Sequence, residues 1–448
     1  MLPLYFLAQI LVALCGWPFW LLLRLKYPDK WRRLRGRFGP SFDAPLARVL
    51  PHNQPRIWLH ALSVGEVSSA VPLARAIRRR FPDAFFLVTA ATESGEEFAR
   101  NTLADTVNLI LPSPVDWLPS VRRFLRRLRP DLFILVETDF WPGLLFSLRR
   151  QNVPALLVNG RISVRSFSRY QRFPGLFLPM FACFSFLAMQ TETDHGKMLA
   201  LGIPAARLPV LGNLKYAAEK PAMGGQAVAA LIPPGCRLWV CGSTHPGEEE
   251  IIFAAYRQIR ARFPDIFLLL APRRPERGED LLTLAAGHGL RAGLRSANRQ
   301  ADADLLILDG IGELAACYFF ADAAFIGGSL VAEGGHNPLE AAWAGIPILY
   351  GRHMEDFAEI AADLVAAGAA RQVTDVATLV TALQEIFANP ADPTLARQMG
   401  AAALALVQTR RQGVLDGHIE AIAALLASAG GGTAGEPQTA NGKARHEA

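Results

Sequence analysis

Several short polar constellations in this chain combine residue types that can do chemistry, and each directly follows an apolar run. In HALSVGEV, residues 60–67, Gly65 and Glu66 come after the first β-type run, where a side chain can project into a cleft. Glu66 is the candidate general base: a carboxylate there can take the proton from an attacking hydroxyl as an electrophilic centre gains positive charge. The same residue also fits a plain helix-start carboxylate, stabilised by the dipole. In ETDFWP, residues 137–142, Glu137 or Asp139 either orders that cleft or caps a helix.

A second set lies in the C-terminal half. The segment AAFIGGSLVAEGGHNPLEAAWAGIPILYG has the pattern of a strand, a Gly-rich loop, a helix from about Asn337, and another strand. Gly327, Gly328, Gly334 and Gly335 permit close backbone approach around Ser329 and His336, and a helix start offers free N–H groups to a phosphate. A tight turn ahead of a capped helix fits the same pattern. Glu340, one turn beyond His336, is placed to accept hydrogen bonds from ribose hydroxyls. Ser243 and Thr244 in STHPGEEE can hydrogen-bond phosphate, and Arg273 and Arg277 in PRRPER can pair with phosphate or carboxylate oxygens. A solvated loop is the alternative for both. Arg161, Arg165, Arg169 and Arg172 have helical spacing, and the aromatic-rich stretch Phe173, Phe177, Phe181, Phe184 and Phe186 follows. A basic face beside an apolar one suits an anionic lipid at a membrane, and solvated arginines on a buried connector fit equally. His336 with Glu340, and the D-x-D of Asp302 and Asp304, lack partner ligands, so neither a metal nor a cofactor is expected.

The elements that must position these groups follow a βαβ rhythm from Arg56 onward. RIWLHAL, AFFLVTA, VNLILP, DLFILVE and ALLVNG, with LAMQ and LPVLG, form one series. After a linker at 217–227, RLWVCGS, IFLLLAPR, LLILDG, AAFIGGS and IPILYG form a second. The rhythm predicts two doubly wound α/β domains with parallel sheets, and such sheets bind ligands at the carboxyl ends of their strands. The expected boundaries are an anchor helix at 1–23, an N-terminal domain at 24–217, a C-terminal domain at 218–428 and a disordered tail at 429–448.

Residues 2–23 carry no charge and as one helix would reach roughly 33 Å, enough to cross a bilayer core. Gly16 and Pro18 can kink the segment, so a helix lying in the interface is the other placement. The basic run Arg24, Lys26, Lys30, Arg32, Arg33, Arg35 and Arg37 keeps the downstream domains cytoplasmic, and also suits anionic lipid. A net charge of +6 spread over the whole chain gives no case for nucleic acid. Five widely spaced cysteines with no C-x-x-C pair point to reduced thiols rather than a disulfide or zinc framework.

Taken in order, HALSVGE, ETDFWP, NGRIS, GNLKY, GSTHPGEEE, PRRPER, DGIGEL and GGSLVAEGGHNPLE resemble the 3-deoxy-D-manno-octulosonic acid (Kdo) transferases, a match from about Arg24 to Val373. The resemblance implies a GT-B architecture, with two Rossmann-like domains facing a cleft. It implies a CMP-Kdo donor, an anionic lipid A precursor as acceptor, and inverting transfer at the inner face of the cytoplasmic membrane. It also implies that Glu66 is the base, that Arg273, Arg277, His336, Asn337 and Glu340 belong to the donor site, and that Lys215 contacts substrate. The number of Kdo residues added and the oligomeric state stay open. Departures from the family pattern are Asp139-Phe140 in place of Glu-Leu, Gly160 in place of Ala, Arg274 in place of His, Arg352 in place of Pro, and Ala217 in place of an acid.

Overall fold

The computed structural model describes residues 2–49, 54–221, 226–297, 303–388 and 394–430. Asp302, part of the linker and all of the expected tail but its first two residues lie outside the described residues. The chain divides into two compact units: residues 1–218 with 412–448, and residues 219–411. The C-terminal helix Thr394–Gly430 contributes to both.

The first unit holds a six-stranded sheet of β1 (Arg56–Ala61), β2 (Phe85–Ala90), β3 (Leu109–Pro112), β4 (Leu132–Val136), β5 (Ala155–Gly160) and β6 (Phe186–Met189), in the order β3-β2-β1-β4-β5-β6. Each neighbouring pair runs parallel. These strands are near-continuous apolar runs because both faces of a parallel sheet are covered by helices. On one face Trp58 packs against Phe124 and Phe133, and Phe42 meets Phe124 edge to face. LPVLG contributes only a single bridge, Val210 to Met189.

The second unit holds β7 (Arg237–Thr244), β8 (Ile266–Pro272), β9 (Ala292–Leu294), β10 (Leu305–Ile307), β11 (Ala323–Ile326), β12 (Ile348–Tyr350) and β13 (Ala370–Gln372), in the order β13-β12-β11-β7-β8-β10-β9. The five strands expected here are present. β9 and β13 are additions that the pattern does not announce: each is three residues long, and AGL and ARQ have no apolar run to mark them. Each sheet has one point where strand order reverses, between β1 and β4 in the first and between β7 and β11 in the second. In sheets of this kind the reversal point is where ligands bind.

The uncharged N-terminal segment forms two helices, α1 (Leu2–Cys15) and α2 (Trp17–Lys26), rather than one. No helix among the described residues is long and apolar enough to cross a membrane. The polar side of α1 faces inward: Tyr5 Oη donates to Asp116 Oδ2 at 2.5 Å, and Gln9 donates to the Asp116 carbonyl. Leu7, Ile10, Leu11, Val12 and Leu14 point outward, as do Leu21, Leu22 and Leu25 of α2. The basic run continues into α3 (Pro28–Gly36). Arg33 pairs with Glu96 at 2.6 Å and Arg37 donates to Ser113, while Arg24, Lys26, Lys30, Arg32 and Arg35 stay exposed. All five cysteines are free thiols.

Candidate functional site

At the reversal point of the first sheet, β1 runs into Leu62 and Ser63, and α4 (Val64–Arg80) begins. Ser63 is its extended N-cap residue, and Glu66 sits in the first turn, turned inward and only 6 % exposed. Its Oε2 accepts the Leu62 backbone N–H at 2.5 Å. Burial pushes the carboxyl up to about 8, Glu137 and Asp139 add to the rise, and the Leu62 amide and Thr138 hydroxyl oppose it. A carboxyl at this value is an effective base once ionised, because it binds the proton it removes far more tightly than an ordinary glutamate does.

Glu137 and Asp139 come from the loop after β4. Glu137 has a left-handed φ of 60°, as does Asn159 in β5 at 57°. Such backbone is costly for a glutamate and is typically retained where function demands it. Asn159 ties the site together: its Nδ2 donates to Glu137 at 2.9 Å, its Oδ1 accepts from the Leu214 amide, and its carbonyl accepts from Gln190. Burial raises the Glu137 carboxyl, while Asn159, Lys215 and Arg161 favour its ionised form. Glu66, Glu137, Lys215 and Arg161 therefore share one neighbourhood.

Asp139 accepts from His60 Nε2 at 2.9 Å; His60 Nδ1 lies 2.8 Å from Thr89 Oγ1, which also accepts from Trp58 Nε1 at 2.8 Å. The motifs assign no role to His60 or Thr89. The available signal was a polar residue interrupting each of two apolar strands, but only the β1–β2 register, which sets His60 opposite Thr89, makes them a pair.

Of the four arginines at helical spacing, Arg165, Arg169 and Arg172 lie on α5 (Val164–Arg172), and Arg161 precedes its N-cap Ser163. All four are exposed. The aromatics after them divide: Phe173 is exposed, Phe177 packs on Tyr170, and Phe181 and Phe184 belong to the core. With Val64, Trp141 and Val164, Phe173 leaves exposed apolar side chains on the loops and helix that bear the arginines and the carboxylates. A pocket of about 510 Å3 in the same unit is lined by Arg32, Arg33, Glu93, Glu96, Arg100 and Pro112, among others.

In the second unit, the loops after β7 and β11 meet. Ser243 has a left-handed φ of 58°, and a Cβ on Gly327 would lie 2.3 Å from the Ser243 carbonyl oxygen, so only glycine allows this approach. The Gly-rich loop differs from a free phosphate cradle. The amides of Gly328, Ser329 and Leu330 all donate to the enclosed carboxylate of Glu248, as does the His245 amide. Ser329 is itself fully buried, its hydroxyl donating to Ile326 and accepting from Gly351. The sequence pattern shows the glycines but not the acid that fills their amides.

Beside this loop the rings of His336 and His245 stack, with Nε2 atoms 2.8 Å apart. Burial, followed by the proximity of His245 and Arg273, drives His336 down to about 4, so it is neutral at pH 7. Gly328, Gly334 and Gly335 all take positive φ. The helix expected from Asn337 spans Leu339–Ala344, and the Asn337 side chain accepts the Leu339 amide. Glu340 lies on that helix with its carboxyl raised by burial. Arg277 is committed to the buried Glu249 at 2.8 Å, with Thr244 close by, whereas Arg273 and Arg274 are exposed after β8. Among the described residues, no three His, Cys, Asp or Glu side chains are grouped as metal ligands would be.

A family model described as 3-deoxy-D-manno-octulosonic-acid transferase (kdotransferase) matches residues 32–218. A relative from Haemophilus influenzae named 3-deoxy-D-manno-octulosonic acid transferase is 33% identical over 373 residues, covering 82% of this chain and 86% of its own. One of the same name from Rickettsia bellii is 31% identical over 429 residues, covering 94% and 96%. Among solved structures, a glycosyltransferase from Rickettsia africae aligns with a TM-score of 0.58 at 11% identity, covering 84% of this chain and 99% of that one, a likeness of fold alone.

Proposed function

Because this chain belongs to the 3-deoxy-D-manno-octulosonic acid transferase family, we propose that it transfers Kdo with inversion from CMP-Kdo to a hydroxyl of the lipid A precursor, in lipopolysaccharide biosynthesis at the cytoplasmic face of the inner membrane. The observation that carries the mechanism is Glu66: an enclosed carboxyl at the reversal point of the first sheet, raised to about 8 and fixed by the Leu62 amide. Glu66 takes the proton of the acceptor hydroxyl as that oxygen attacks the anomeric carbon of Kdo and CMP departs with the bonding electron pair. Glu137, Asn159 and Lys215 order the acceptor around it.

The second unit binds the nucleotide. Ser243 and the neutral His336 offer hydrogen bonds, Glu340 holds ribose, and Arg273 meets the phosphate charge. Arg161, Arg165, Arg169 and Arg172, beside exposed Val164 and Phe173, suit an acceptor that is both anionic and acylated. Helices α1 and α2 have 14 and 10 residues, so the longer reaches roughly 21 Å. Their outward leucines and the inward polar groups of α1 support a pair lying in the membrane interface rather than crossing it.

The test is Glu66→Gln. The variant retains its fold and its thermal stabilisation by CMP, which exceeds that by UDP, and loses transfer. Turnover of CMP-Kdo onto the lipid acceptor by this variant refutes the role of Glu66.

A further inference from the structure

We propose that His60 is a positioning residue for this reaction: its Nε2–H holds the Asp139 carboxylate in place beside Glu66, and efficient transfer depends on that bond. The inference rests on the reading of Glu66 as the base.

The donor directions come from the partners. Trp58 Nε1 can only donate, and it donates to Thr89 Oγ1. The Thr89 hydroxyl is fully buried, and its other neighbour is His60 Nδ1 at 2.8 Å. Every polar side-chain atom from Trp58 to Asp139 Oδ2 is satisfied when Thr89 O–H donates to Nδ1 and Nε2–H donates to Asp139 Oδ2. The opposite tautomer would set the Nε2 lone pair against a carboxylate oxygen. Strand β1 carries Trp58 and His60 while β2 carries Thr89, in fixed register, so the sheet orients the imidazole.

Asp139 has no comparable support of its own. It lies in the loop that starts with the left-handed Glu137, and its side chain is only 8 % exposed. Its hydrogen bond comes from the His60 N–H, and Arg37 of the basic run is a charged neighbour. Held there, Asp139 acts with Glu137 to raise the Glu66 carboxyl and so to keep its proton in place until substrate binds. The other groups around them are Lys215 and Arg161 beside Glu137, the half-buried Asp116 beside Asp139, Glu96 and Arg33 beside Arg37, and the uncharged Thr138 and Ser69.

The experiment compares the acid limb of kcat/KM for the purified full-length enzyme, with CMP-Kdo and the lipid A precursor, in wild type, Asp139→Asn, His60→Phe, His60→Gln and Glu66→Gln. Removing the charge or its donor moves the limb to lower pH by on the order of one unit and lowers kcat. His60→Gln places an amide N–H near the Nε2 position and stays close to wild type. A limb that His60→Phe leaves in place, whether or not Asp139→Asn moves it, overturns the proposal. Activity in Glu66→Gln instead sinks the base assignment, a separate failure. Should His60→Phe not fold, the 15N shifts of His60 in the wild-type protein decide, since a proton on Nδ1 rather than Nε2 overturns the argument.

Discussion

Replacing Glu248 with glutamine alters one oxygen in a carboxylate that is completely enclosed in the second unit. Its Oε2 accepts from the His245 amide at 2.9 Å and the Gly328 amide at 2.7 Å, and its Oε1 accepts from the Ser329 and Leu330 amides, both at 2.9 Å. Whichever way the new amide turns, two backbone donors face an NH2 group and lose their acceptor. A buried unsatisfied donor costs about 1–3 kcal/mol. The two surviving bonds lose their charge assistance, and such bonds are roughly twice as strong as neutral ones. The sum is about 3–9 kcal/mol, a large part of the 5–15 kcal/mol that holds a typical domain together. Hydrogen exchange followed by mass spectrometry reads this directly: the loop at 327–330 exchanges on the order of a hundredfold faster or more, and the second unit melts earlier. Glu248→Gln protein that keeps these amides protected, and whose unfolding midpoint moves by less than about 1 kcal/mol, refutes the reasoning that the carboxylate clamps the two loops.

Two more expectations concern the first unit. Glu66 holds its proton up to about 8 when folded but ionises near 4.5 when unfolded, so the folded state binds the extra proton and stability falls as pH rises between those values. The slope reaches at most about 1.4 kcal/mol per pH unit. Denaturation curves from pH 5 to 8 should show it in wild type and lose it in Glu66→Gln; an identical slope in both contradicts the assigned burial. The triple change Arg165→Gln, Arg169→Gln and Arg172→Gln removes exposed side chains, each worth within about 0.5 kcal/mol of stability. It should raise KM for the lipid acceptor at least tenfold and leave KM for CMP-Kdo unchanged, and a change confined to the donor would show that α5 is misassigned.

Glu66 and Asn159 differ in how far local pattern could reach them. Glu66 was visible as a carboxylate after a strand and in the first turn of a helix, a placement that depends on the nearest few residues. Asn159 was visible only as part of NGRIS, yet it joins Glu137 on one strand end to Leu214 far along the chain. Glu248 appears as one of three acids opening a helix, and nothing local distinguishes it and Glu249, which turn inward, from their solvent-facing neighbour Glu250.

By itself the sequence determined the strand-and-helix alternation, the two doubly wound units and the positions after β1, β4, β7 and β11 where chemistry collects. Those features come from short apolar runs and the breaks between them, which act within a few residues. Tertiary structure alone decided which polar groups meet: His60 with Thr89 through register, His60 with Asp139 and Glu66 with Glu137 through strand order, and Glu248 with the glycine loop where β7 and β11 lie side by side. It also decided that α1 turns its polar side to the body and its leucines outward. Each of these pairings joins residues tens of positions apart, and the free energy that selects them, from excluding water around paired polar atoms, exists only once the sheets have assembled.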